Sequence, residues 1–416
     1  MRLFILRWLV AAALIFSCSP EPTSVPSPPI GYDDDGMITK KGRRIFIIGS
    51  YYLPKGDDGF RQAAACGYNL VRVGEKRSEL DQAQAHGLDA WISIGSIPPA
   101  QFDSGRVAYG ERINRLKDHP ALLFWEMEDE PAWRWNSAEA RIAAEDLQKS
   151  YAVLKENDPH HLVYTNHAPT NLISTLERYN RATDIVACDI YPIIPAGIRI
   201  TYALFPDGMQ GDLLNTYPSQ VGDYTDKMRK VAGSGRPVFM VLQGFSWEML
   251  RQATDRDSQM IRYPTYHESR FMAYQAIVHG ANGIIHWGTA YTPQPSPFWS
   301  DLQAVTAELA AMQPVLASRT VQLPLTKEYV ELGHSVDRGV EVIVKSVNGV
   351  AYLLTVNADK NPLHLRLGGL NGYGRARVLM EEKELPIERG VLQVLYEPFA
   401  TKIFKLEKIT QERRKS

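Results

Sequence analysis

The sequence predicts an α/β fold, a (β/α)8 TIM barrel followed by a small C-terminal antiparallel β-sandwich. Three observations carry this. Apolar strand-like runs alternate with helix-like stretches eight times over roughly 270 residues, the usual extent of a closed barrel. After Ser318 the pattern changes to short, alternating, β-branched runs separated by Asn, Gly and Asp turns. The chain, at 416 residues, exceeds one small domain and suits a large barrel with a smaller companion.

The N-terminus reads as a targeting segment. Met1-Arg2 and Arg7 flank an apolar run, Trp8 to Phe16, too short to span a bilayer as a mature helix. The run ends in Ser17-Cys18, which resembles a bacterial lipoprotein cleavage site with Cys18 as the lipidated residue; a plain secretory signal fits as well. On either reading residues 1–18 direct export to the cell envelope. Residues 19–36, rich in Pro and Ser and ending in an Asp run, read as a flexible tether.

The barrel is expected over 37–317. Its strands are read at Ile45–Gly49, Leu70–Val73, Ala90–Ile94, Leu122–Met127, Leu162–Thr165, Ile185–Asp189, Val238–Leu242 and Gly283–Trp287. Amphipathic stretches separate them, among them Asp58–Cys66, Ala138–Lys155 and Glu268–Val278. Gly67-Tyr68-Asn69 and Gly235-Arg236-Pro237 have the form of tight helix-to-strand turns. Met37 to Arg44 reads as a hairpin closing the barrel bottom. The sandwich is expected over 318–408 and a charged tail over 409–416.

Bulk chemistry narrows the partners. The formal net charge is −1, with no Lys/Arg-rich stripe, which argues against nucleic acid. The segment holds no phosphate-binding glycine loop, no metal-ligand spacing and no nucleophile-elbow serine, so no cofactor is expected. Membrane contact is expected only through the N-terminal anchor. Besides Cys18 the chain has Cys66 and Cys188, read as two small buried thiols.

The most informative stretch is Phe124-Trp125-Glu126-Met127-Glu128-Asp129-Glu130-Pro131. An apolar strand runs into a carboxylate cluster and is stopped by a proline, which cannot continue a ladder. Asp129 and Glu130 therefore belong at the C-terminal end of the fourth strand, the end where barrels place their chemistry. A carboxyl group held there against aromatic walls can act as a general acid. His167, after Tyr164-Thr165-Asn166, is a candidate hydrogen-bonder at the rim. His279, before the last strand, reads as structural.

Together with Asn69-Leu70-Val71-Arg72, Asp189-Ile190-Tyr191-Pro192 and His279 through Trp287, this stretch resembles the retaining glycoside hydrolases built on a (β/α)8 barrel, with carboxylates after strands four and seven. The resemblance covers roughly residues 38–316. It implies Glu130 as acid/base, Asp129 as a sugar-hydroxyl partner, Arg72 and Tyr191 as supports for the opposing charge, and Trp287 as the floor of a sugar subsite. The substrate it implies is a poly- or oligosaccharide.

The chain departs from that pattern at strand seven, where the matching position is Gln243. A neutral amide hydrogen-bonds a hydroxyl but cannot form a glycosyl ester or deprotonate water. Gln243 is kept as a binding residue. The second carboxylate that hydrolysis requires is sought at Asp189, closing strand six, or at Glu248 beyond strand seven. A third candidate, Glu268, opens a helix, where a carboxylate also serves the dipole. A substrate that brings its own nucleophile is a further route. The residues of the long insertions, Tyr202, Phe205, Trp247, Arg262 and Tyr263, suit sugar contacts or a rim packed on itself. Three functional readings follow: an exported glycoside hydrolase, a lipid-anchored carbohydrate-binding protein that has lost hydrolysis, and a barrel enzyme of other chemistry.

Overall fold

The computed structural model describes residues 30–134, 139–195, 204–205, 208–209 and 217–409. The expected signal segment, Cys18, Tyr202 and all but the first residue of the charged tail lie outside these. So does most of the tether. Its last part, however, is structured: Ile30–Tyr32 (β1) pairs antiparallel with Ile38–Lys40 (β2), which pairs with Arg43–Ile45 (β3). Residues 30–36 are therefore part of the folded body and not of the tether expected over 19–36. The ladder seals the barrel bottom, where Lys40 reaches Asp89 and the carbonyl of Pro120.

Eight parallel strands close the barrel: Ile47–Ser50 (β4), Leu70–Val73 (β5), Asp89–Ser93 (β6), Leu122–Asp129 (β7), Leu162–His167 (β8) and Ile185–Ile190 (β9) come first. A short antiparallel pair, Leu204–Phe205 (β10) and Gly208–Met209 (β11), precedes the last two, Val238–Gln243 (β12) and Gly283–Trp287 (β13). Alternation along each strand sorts the side chains. Ile47, Leu70, Trp91, Phe124, Tyr164, Ala187, Phe239, Val241 and Ile285 fill the interior. Their neighbours Ile48, Val71, Ile92, Trp125, Val163, Cys188, Met240 and Ile284 pack outward under the helices. Gly283 is required by this packing, because a Cβ there would lie 2.8 Å from both Ile47 and Phe239.

The C-terminal part is a nine-stranded antiparallel sheet, curled so that its two ends form facing layers. Arg319–Thr320 (β14), Thr326–Val330 (β15), Val340–Val347 (β16), Val350–Asn357 (β17), Leu363–Gly368 (β18), Tyr373–Val378 (β19), Lys383–Glu388 (β20), Val391–Tyr396 (β21) and Thr401–Lys408 (β22) build it. The layers meet through β20, which pairs with β19 in one and β21 in the other. Leu353, Leu365, Leu392 and Phe404 close the core between them. Leu354, Val356 and Ile403 on the outer side join the barrel core.

Polar contacts fix this docking. His279, at the end of the helix Tyr266–Val278, holds Asp226 at 2.9 Å and Glu341 of β16 at 2.8 Å. Burial alone would lower its pKa, but the two carboxylates outweigh burial and raise it to about 9. Arg270 pairs with the buried Glu308 and donates to the carbonyl of Thr401. Glu268 completes a capping box with Thr265 at the same helix's start, which accounts for it structurally. Cys66 and Cys188 are both buried. Among the described residues no helix is long and apolar enough to cross a membrane, and no group of three or more His, Cys, Asp or Glu is placed to hold a metal ion.

Candidate active site

The C-terminal ends of the barrel strands carry two polar layers, one above the other. The deeper layer centres on Glu126, which period-two alternation turns inward above Phe124. Only 2% exposed, Glu126 accepts from the Tyr51 hydroxyl at 3.1 Å, from Trp91 Nε1 at 3.1 Å, and from Ser93 Oγ. Tyr164 continues the chain, with its hydroxyl 3.0 Å from that of Tyr51. Burial pushes the Glu126 carboxyl up, the Asp129 charge adds to this, and the Ser93 and Trp91 donors oppose it.

The upper layer begins where β7 breaks register. Between Glu126 and Asp129 its pairing with β8 slips, and Asp129 comes to face Asn166. Asn166 Nδ2 donates to Asp129 Oδ1 at 2.9 Å and reaches Asp189 Oδ1 of β9 at 3.3 Å. Two oxygens sharing one nitrogen at those distances lie within about 6 Å of each other. Glu130 follows in a left-handed conformation, φ +50°, with its N–H bonded to the carbonyl of Asn166 at 2.8 Å. Such a backbone is costly for a residue other than Gly, and it turns the side chain away from the ladder. The Glu130 carboxylate is half-buried, 3.7 Å from the Arg141 guanidinium.

Burial, and then the charges of Asp189, Asp129 and Glu130, push the Tyr191 hydroxyl well above the ordinary range. The Tyr191 ring stacks on Trp287, with centroids 5.6 Å apart and planes 24° from parallel. Phe245, Trp247, Tyr52 and Tyr291 complete an aromatic wall around that pair. Gly244 permits the wall, because a Cβ would lie 2.7 Å from the carbonyl of Trp287. Arg72 stands exposed at the end of β5, with its guanidinium 5.8 Å from the centre of the Tyr51 ring.

Seven of the nine candidates in the described residues therefore gather at or near this mouth by strand position: Arg72, Asp129, Glu130, Asp189, Tyr191, Trp287 and, in modified form, Gln243. Gln243 ends β12 on the inner face but is only 1% exposed. Its Oε1 accepts from the N–H of Ile193 at 3.1 Å, and its Nε2 donates to the carbonyls of Ile193 and Phe245 at 3.0 and 3.1 Å. The expected sugar contact is thus corrected: this amide is a strut between strand seven and the loop after strand six.

Two candidates lie elsewhere. Glu248 is fully buried, with Oε1 accepting from the N–H of Asp257 at 2.6 Å and lying 3.5 Å from Arg251. It anchors its own loop and is not a second carboxylate free to enter the cleft. His167 faces outward, because Tyr164 and Asn166 take the inward positions of β8. It is buried against Tyr179, and neither ring nitrogen has a partner. The insertion after strand seven is likewise tied to the neighbouring helices: Arg262 pairs with Glu268, and Tyr263 stacks on Phe298. Trp125 points outward to Asp158 at 2.8 Å.

Sequence reasoning missed Glu126, Asn166, Tyr51 and Tyr164. The missed signal was parity: counting in twos from Phe124 and Tyr164 selects Glu126 and Asn166, and rejects His167.

No family model matches the chain, and no curated protein matches it. Solved structures do resemble it in fold. AmyP in complex with maltose aligns over 88% of this chain and 97% of its own, with TM-score 0.55 at 10% identity. An α-amylase from Geobacillus thermoleovorans complexed with acarbose covers 88% and 98%, with TM-score 0.54 at 8% identity. A β-galactosidase from Bacillus circulans sp. alkalophilus covers 87% and 99%, with TM-score 0.53 at 10% identity. At such identities the likeness is one of fold. This chain has the barrel and C-terminal β-domain arrangement found in those structures.

Proposed function

We propose that the protein is an exported glycoside hydrolase acting on a poly- or oligosaccharide. The carrying observation is the gathering of Asp129, Glu130 and Asp189 at the ends of strands four and six, with Asn166 bonded to all three residues, beside the aromatic wall of Tyr191 and Trp287. Aromatic faces supply the apolar surface on which a sugar ring stacks, and carboxylates and amides bind its hydroxyls. The fold shared with amylases and a β-galactosidase supports the same class.

In this reading Glu130 donates a proton to the glycosidic oxygen as the bond to the anomeric carbon breaks. Asp189 stands as the second carboxylate: it stabilises the oxocarbenium charge and takes the proton of the attacking water. Asp129 and Asn166 orient Asp189 and bind hydroxyls. Trp287 and Tyr191 form the subsite wall, and Arg72 balances the carboxylates from strand two. Export, with Cys18 as the lipid-bearing residue, is part of the proposal and rests on residues 1–18.

A second reading, a carbohydrate-binding protein without turnover, is favoured by the neutral Gln243. Reducing-sugar release from a broad polysaccharide panel separates the two. Turnover by wild type that drops by about 10²- to 10⁴-fold in Glu130→Gln supports the hydrolase. Binding to a member of the panel with no turnover supports the second reading.

A further inference from the structure

Arg72 stands near the end of strand two on the inner face of the barrel, two residues after the interior Leu70, and its side chain is exposed. No counter-charge faces it from strand seven, which ends in the neutral Gln243, an amide bonded to the backbone of Ile193 and Phe245. The acids of the mouth are engaged elsewhere. Glu126 holds Tyr51, Trp91 and Ser93, and Asp129 shares Asn166 with Asp189. On the rim that follows strand two, Glu75 pairs with Arg112, while Glu79 accepts from the N–H of Gly74 at 2.7 Å and pairs with Lys76.

Among the described residues the Arg72 side chain has no ion pair and no hydrogen bond; its guanidinium lies over the Tyr51 ring, 5.8 Å from the centroid. That ring is fixed. Tyr51 is buried, its hydroxyl is bonded to Glu126 and Tyr164, and it meets Trp91 edge-on at 5.1 Å. Cation–π attraction thus holds the guanidinium in place and leaves its N–H donors for an acceptor that the chain does not provide. Tyr52, the next residue, meets Trp287 and Tyr291, with centroids 6.3 Å away in each case. The end of strand one therefore joins the guanidinium to the aromatic wall on which a sugar ring would stack.

We infer that Arg72 selects saccharides bearing an anionic substituent, a uronic acid carboxylate or a sulfate ester, and binds that group as its counter-ion. The inference rests on the saccharide reading of the cleft and names its substrate class. Either group suits a guanidinium, whose parallel N–H donors meet two oxygens at once. The substrate anion takes its place beside strand two, with strand three between it and the carboxylates of strand four. It neutralises Arg72 and leaves Glu130 to protonate the glycosidic oxygen.

The test uses the full protein with polygalacturonate, glucuronoxylan and a sulfated galactan, each beside a neutral form made by carboxyl reduction or desulfation. Hydrolysis and retention in native gels cast with each polymer are both read. Wild type is expected to favour an anionic polymer over its neutral form by about ten- to hundredfold in kcat/KM. Preference lost on carboxyl reduction identifies a uronate, and preference lost on desulfation identifies a sulfate ester. Arg72→Gln should bring the two forms to parity by loss on the anionic polymer alone, with the unfolding midpoint unchanged, and Arg72→Lys should recover part of the preference. An arginine with a merely structural role would lower the midpoint, or both rates together. Equal wild-type rates on the two forms, or equal losses on both in Arg72→Gln, would overturn the selectivity and leave the hydrolase reading standing. Retention by an anionic polymer without turnover, lost in Arg72→Gln, would uphold the selectivity and overturn the hydrolase. Neither retention nor turnover on any polymer, neutral or anionic, would overturn the two together.

Discussion

The ends of strands four and seven lie at one barrel mouth, with strands five and six between them, and use their polar groups in opposite ways. Strand four slips register, throws Glu130 into a left-handed turn and leaves Asp129 and Glu130 on the accessible rim. Strand seven ends in Gln243, whose amide is saturated by backbone groups of Ile193 and Phe245. One end accepts strain and keeps its charges available; the other gives up charge and locks a loop. In the proposed reading the chemistry of this mouth therefore belongs to strands four and six, joined by Asn166, and not to the four-and-seven pairing.

The sharpest way to break that contrast is to put a carboxylate at strand seven. In Gln243→Glu, an oxygen replaces Nε2 and faces the carbonyls of Ile193 and Phe245 at about hydrogen-bond distance, in a site that is 1% exposed. We expect destabilisation of about 3–5 kcal/mol at neutral pH, read from the urea midpoint, and no gain in hydrolysis. The introduced group has its folded pKa raised above the unfolded value of about 4.3. The penalty therefore grows as pH rises above about 4.3 and shrinks toward acid. A stable variant with new activity would show that the strut is dispensable and the end of strand seven catalytic.

The next comparison sets Asp189 against Glu248. Asp189→Asn should lower kcat by about 10²- to 10⁴-fold with little change in the unfolding midpoint. Glu248→Gln should do the reverse: it perturbs the anchor to Arg251 and Asp257, costs about 1–3 kcal/mol of stability, and leaves kcat within twofold. Exchange of these outcomes would move the second carboxylate to strand seven's loop.

Most of the architecture was legible because barrel strands are buried on both faces and read as continuous apolar runs, which Gly and Pro bound. The fourth-strand end was legible for the same reason, since Pro131 stops the ladder beside the carboxylates. What the sequence hid depends on partners distant in the chain. The fate of Gln243 is decided by Ile193, fifty residues away, and that of Glu248 by the N–H of Asp257. Strand β1 is three residues long and exists only through pairing with β2. Strand β20, Lys383–Glu388, is charged and mostly exposed, so its composition resembles a turn. Glu126 was hidden differently: it sits among four carboxylates, and only parity along the strand separates the inward one.

His167 offers the finest test of that parity, because it lies beside Asn166 and differs from it only in the face it takes. Asn166 bridges the two aspartates, whereas His167 is fully buried on the other side, edge-on to Tyr179 at 6.1 Å. Burial, with the nearby Lys227 charge, lowers its pKa to about 4, so the ring is neutral in the folded protein at pH 7. The unfolded chain binds a proton at this residue near pH 6.5. The histidine therefore draws stability from the folded state as pH falls from about 6.5 to about 4, and has no such effect above that window. His167→Phe keeps the ring contact and removes two unpartnered nitrogens. It should leave kcat and KM within twofold, raise stability at pH 7 by about 1 kcal/mol, and recover about 2 kcal/mol of the stability lost at pH 4.5. A large fall in kcat with stability unchanged would place His167 at the mouth and overturn the assignment of faces along β8.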